Sequence, residues 1–143
     1  MLTFLAELMT MCPMDASSHR LAAAIAERLT ELLPAPLTAI AIGHTVAIVS
    51  GRETVGSSPA AAILDDDDGR SKAEKAHAAC SAVLNGLQDD LMVHLARPWP
   101  TDDDGELGFP TFRTEAHSLR AWFGDDTEER AIVRLRPFDL DQL

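Results

Sequence analysis

Apolar positions recur at helical spacing in two long stretches of this chain and alternate, or run together, in shorter ones between them. Residues 1 to 14, apolar but for Glu7 within the run, read as an N-terminal arm or short helix ending at Pro13. Residues 15 to 143 read as one domain. In DASSHRLAAAIAERLTELLP, residues Leu21, Ile25, Leu29, Leu32 and Leu33 form one helical stripe, Asp15, Ser17 or Ser18 supplies an N-cap, and Pro34 and Pro36 stop the helix. LTAIAIGHTVAIVSG follows, two β-rich runs around Gly43-His44, where glycine first suits a type II′ hairpin. Both faces of this hairpin are apolar, so it should be covered on two sides or nearly so.

GRETVGSSP has the composition of a loop, and PAAAIL (59–64) reads as a short third strand or one helical turn. Ser71 and Glu74 have the spacing of a capping box and open a second helix. Its stripe is Ala73, Ala76, Cys80, Val83, Leu84, Leu87, Leu91 and Leu95, and it ends before Pro98 and Pro100. Gly86 in its middle implies a kink or a close packing contact. WPTDDDGELGFPTF reads as an acidic linker, and SLRAWF and AIVRLR as strands of a hairpin around GDDTEER. The order α-β-β-(β)-α-β-β predicts an α+β fold, an antiparallel sheet of about five strands with both long helices packed on one face.

Charge narrows the function classes. Twelve Lys and Arg against 23 Asp and Glu give a net charge of -11, which repels phosphate backbones and disfavours nucleic acid as a partner. The same field attracts a basic protein. No apolar run approaches the length of a membrane span. The start lacks the basic region of a signal peptide, and Cys12 and Cys80 have no disulfide-framework spacing, so a reduced, cytoplasmic protein is expected.

Several chemistries suggest themselves and meet obstacles in the sequence. The aspartate runs at 65–68 and 102–104 invite calcium. With Gly69 or Gly105 at the glycine of an EF-hand loop, however, the end ligands fall on Leu64 and Lys75, or on Pro100 and Thr111. A solvated turn near the positive end of the second helix accounts for the first run. Gly51 and Gly56 have P-loop spacing, but Ser57 stands in place of the lysine and Glu53 puts an anion in the cradle. His77 and Cys80 lie three apart on the second helix with His94 beyond, the outline of a small enzyme or ligand-carrier pocket; zinc would need further ligands that no local motif supplies. Asp89-Asp90 and Glu128-Glu129 are paired carboxylates that look solvent-facing. No cofactor motif is legible.

The last hairpin carries the main expectation. If Arg120 opposes Arg134, one face presents Arg120, Trp122, Ile132, Arg134 and Arg136, an apolar and cationic strip on an acidic protein, the mix enriched at protein interfaces. The opposite face, with Leu119, Ala121, Phe123, Val133 and Leu135, is core. The alternative is that the arginine stems cover the sheet and pair with local acids. The strip is the expected homodimer or partner surface of a non-enzymatic interaction protein.

RLAAAIAERLTELLP, LNGLQDDLMVHLARPWP and LRAWFGDDTEERAIVRLRPFDL together resemble a set of small actinobacterial proteins of unknown function, over about residues 19 to 143. That resemblance implies no activity, cofactor or catalytic residue. At fold level the element order is similar to that of type III secretion chaperone-like proteins, which implies a dimeric, partner-binding protein.

Overall fold

The computed structural model describes residues 13–60 and 71–143. Helix α1 (Pro13–Thr30) opens at a proline, which a first helical turn accommodates because no N–H is needed there. Leu21, Ala22, Ile25, Ala26 and Leu29 are its buried stripe. The helix stops at Thr30, and Leu32 and Leu33 follow in a turn closed by N–H donation from both to Leu29 O.

β1 (Leu37–Ile42) and β2 (Thr45–Ser50) form the expected hairpin, with Gly43 at φ +62° in its turn. GRETVGSSP is not a loop. Gly51 (φ +62°) makes the turn, and β3 (Glu53–Pro59) pairs antiparallel with β2 through a bulge at Ile48/Val49. With Gly56 in a paired strand, no phosphate cradle forms. The reason for glycine lies in packing: a Cβ at Gly56 would come within 2.4 Å of the Asp90 side chain. On the facing helix, a Cβ at Gly86 would sit 3.4 Å from Ser58 Oγ. Gly56 thus lets that helix approach β3 closely, whereas at Gly86, which also faces β3, a methyl group would meet Ser58 at ordinary contact distance. The run Asp65–Asp68 lies outside the described residues, as does most of the expected strand or turn at 59–64.

Helix α2 (Lys72–Leu95) carries the predicted capping box: Glu74 N–H donates to Ser71 Oγ at 3.1 Å and Ser71 N–H to Glu74 Oε1 at 3.3 Å. It ends at Ala96 in the left-handed region, φ 55°. After it come β4 (Phe109–Thr114), β5 (Ser118–Gly124), β6 (Ala131–Arg134) and β7 (Phe138–Asp139), with 3₁₀ turns at Glu128–Arg130 and Leu140–Gln142.

The described strands form two antiparallel sheets, β1-β2-β3 and β4-β5-β6 with β7 also on β5, in place of the expected single sheet of about five strands. Three strands were hidden from the pattern, β7 by its length of two residues. β3 is rich in Gly, Ser and Thr, and β4, FPTFRT, has a proline and no apolar alternation. Both helices lie on one side of β1-β2-β3, and α2 also packs on the second sheet. α1 packs on β1 and β2, while α2 touches β3 and β2 of the first sheet and β4 and β5 of the second. One buried cluster nevertheless runs through the fold, from Leu21 and Ile25 across Val46 and Ile48 to Val83, Leu87, Leu119, Phe123 and Phe138.

Candidate interaction surfaces

The strip expected on the last hairpin is not assembled as an exposed surface. The register is shifted by two residues: Trp122 faces Arg134 and Phe123 faces Val133, with a bulge beyond Phe123. Trp122 is 2% exposed, though outside the main core cluster. Residues 125 to 130 fold back over it. The indole N–H donates to Asp125 O at 2.8 Å, as a buried tryptophan requires.

Glu128 pins this lid. Its carboxylate accepts from Arg120 Nη1 at 3.0 and 3.1 Å and lies 3.6 Å from Arg113 Nη2, and its backbone O accepts from Arg134 Nη2 at 2.8 Å. The Glu128 carboxylate, with Glu115 nearby, holds the Arg120 guanidinium above its ordinary value. The arginines therefore anchor local acids, the alternative weighed from the sequence.

The other two strip residues go elsewhere. Ile132 is half-buried and lines a cleft beside Phe109. Arg136 leaves the sheet and pairs with Glu27 of α1 and Glu31 just beyond it, which hold its guanidinium high. Next to it, Arg28 Nε and Nη2 donate to Arg136 O and Pro137 O at 2.9 Å, with the guanidinium 4.5 Å over the Phe138 ring. Burial and the neighbouring Arg136 lower its pKa. This clamp ties the C-terminal segment to α1. It also engages Glu27, Arg28 and Arg136 of a cleft of about 370 Å³ that Arg20 and Asp139 line as well.

His77, Cys80 and His94 do not converge on a pocket. The helix turns Cys80 into the core, 0% exposed, while His77 and His94 are exposed and the His77 ring rests 4.8 Å from that of Phe112. Among the described residues, no group of three or more His, Cys, Asp or Glu is placed to hold a metal ion. The second aspartate run is a turn in which Asp102 Oδ1 accepts from the N–H groups of Asp104 and Glu106 at 2.9 and 2.8 Å.

Burial pushes the Cys80 thiol from 9.0 up to about 12. An acid raised on folding stabilises the fold below its unfolded value, and that contribution is lost as pH climbs through the folded one. Between pH 9 and 12 the fold should therefore lose about 1.4 kcal/mol per pH unit from this group, read as a falling urea midpoint that Cys80→Ala flattens. In a Cys12→Ser background at neutral pH, a disulfide reagent should modify Cys80 only as fast as the chain unfolds.

Two surfaces remain open. The first is the side of β1-β2-β3 away from the helices. The pairings put Thr38, Ile40 and Ile42 of β1 on it, with Thr45, Ala47 and Val49 of β2 and Thr54, Ser57 and Pro59 of β3. Among the described residues no charged side chain stands there; Ala47 at its centre is 4% exposed, while Ile40 and Ile42 are 41% and 65% exposed. The hairpin that looked covered on both sides is thus covered on one among the described residues. At the β1 edge, Ala39 N–H donates to Thr30 Oγ1 at 2.9 Å, and that hydroxyl lies 3.0 Å from Ala39 O and 2.9 Å from Ala26 O, which share its one proton. Helix α1 thereby occupies the backbone groups that a further strand would need.

The second is a cleft of about 460 Å³ at the far end of the other sheet, where Gly108 and Phe109 approach Gly124 and Ile132. Phe109 is 59% exposed. Asp102, Glu106 and Asp125 line the cleft together with Arg130 and Leu107.

No protein-family model, curated protein or solved structure matches the chain. No helix among the described residues is long and apolar enough to cross a membrane.

Proposed function

We propose that this protein acts by binding other protein chains rather than by catalysis, and that it does so as a homodimer closed through the helix-free face of β1-β2-β3. The observation that carries this is the uncharged face itself, with Ile40 and Ile42 exposed on a chain of net charge -11. Two copies can meet there without burying a charge, and their acidic surfaces stay in water. Face-to-face packing suits the site better than strand addition, because Thr30 blocks the β1 edge at Ala39.

Light scattering should give twice the chain mass, with salt favouring the dimer by screening the repulsion between two acidic copies. Ile42→Asp should weaken self-association at least about tenfold, since an aspartate there must be desolvated on closure. A wild-type monomer at the highest soluble concentration would refute the dimer.

A further inference from the structure

The acid-lined cleft on the second sheet lies apart from the proposed dimer face and has a different character. Its lining is apolar at Leu107, Phe109 and Ile132 and anionic at Asp102, Glu106 and Asp125. A phenylalanine left 59% exposed beside a concavity is the feature of an anchor site, since large apolar side chains seldom stand free next to unfilled space without a partner. The charge of that partner is indicated by a side chain already present. Arg130, itself 77% exposed, holds its Nη1 3.5 Å from Asp125 Oδ2, so the cleft accommodates a guanidinium against an acidic wall.

We infer that this cleft docks an extended segment of a partner protein in which a large apolar residue is flanked by lysine or arginine. The apolar residue would pack on Phe109 and Ile132, and the flanking cation would take the place of Arg130 at Asp125 and Glu106. Segments of this chain outside the described residues do not have that character: residues 1–12 contain no lysine or arginine, and 61–70 contain four aspartates against Arg70. Nucleic acid is excluded by the sign of the charge.

The displacement of Arg130 gives the test its leverage. Fluorescence anisotropy would be measured with dye-labelled, unstructured peptides built on Lys-Arg-Leu-Phe-Lys-Arg, with serine replacing the apolar pair or glutamate replacing the basic residues in controls. Full-length protein would be used throughout. Binding should need both features and should weaken with salt. Phe109→Ser should weaken it about tenfold or more, and Glu106→Gln about two- to fivefold. Arg130→Gln should tighten it about two- to fivefold, because an internal competitor is removed; a purely structural Arg130 would not do this. Ile42→Asp should leave it unchanged.

Four results would overturn the proposal: no binding by any peptide of the set, binding indifferent to Phe109→Ser, spermine competing as well as the peptides, which would reduce the site to bulk charge, or loss of self-association in Phe109→Ser, which would make the cleft a contact between copies. Circular dichroism of each variant separates misfolding from loss of the site. Glu106→Gln and Arg130→Gln replace exposed side chains and keep the readout intact if Phe109→Ser fails to fold.

Discussion

Trp122→Ala should cost about 3–5 kcal/mol of stability, because it removes a large side chain that is 2% exposed and leaves the lid of residues 125 to 130 with nothing to cover. Urea denaturation measures this directly. The self-associated mass should be unchanged wherever the variant remains folded, since the indole lies beneath its own chain rather than at a subunit contact. Glu128→Gln is the milder companion. It keeps the indole but weakens the carboxylate contacts to Arg120 and Arg113, and in a Trp99→Phe background it should shift Trp122 emission to the red as the lid loosens. A loss below about 1 kcal/mol in Trp122→Ala would mean that the lid does not pack on the ring.

The second large effect belongs to a residue with no place in the apolar pattern. Gln88 is 3% exposed within the stripe of α2, and its Nε2 donates to Gly108 O at 2.7 Å and Trp99 O at 3.1 Å. One amide thus holds the segment after the helix at both ends, and with it the Gly108 wall of the acidic cleft. Gln88→Leu keeps the volume but leaves the carbonyl oxygens without their donor. A loss of about 2–3 kcal/mol is expected, seen as a lower urea midpoint. Faster amide exchange across residues 100–109 should accompany it. A variant as stable as wild type would show that water replaces the amide at both carbonyls.

These two residues also mark the limit of what local patterning conveys. Gln88 falls on the stripe of α2, four residues after Leu84 and three before Leu91, but its polarity leaves it out of an apolar pattern. Its partners lie 11 and 20 residues away in sequence, and no local spacing announces them. Trp122 was placed on the correct strand and the correct alternation. What failed was the assumption that the side of a sheet away from the core is open. Glu128 and Glu129 were read as solvent-facing, whereas Glu128, eight residues from Arg120, turns back to pair with the arginines. An acid that looked wet is the one that closes the turn.

The sequence by itself determined the two helices, the capping box at Ser71 and Glu74, the first hairpin and the core stripe through Cys80 and Leu87, because each rests on contacts within a turn or two or on strict alternation. It also determined the net charge of -11. Only the tertiary structure decided that the strands divide into two sheets around α2, that Gly56 serves close packing rather than a phosphate loop, and that Trp122 is covered, with Arg120 and Arg134 turned to Glu128, while Ile40, Ile42 and Phe109 stand exposed. The physical reason is that exposure is a property of what the rest of the chain places on a face, and those covering contacts join residues too distant in sequence for any period to encode.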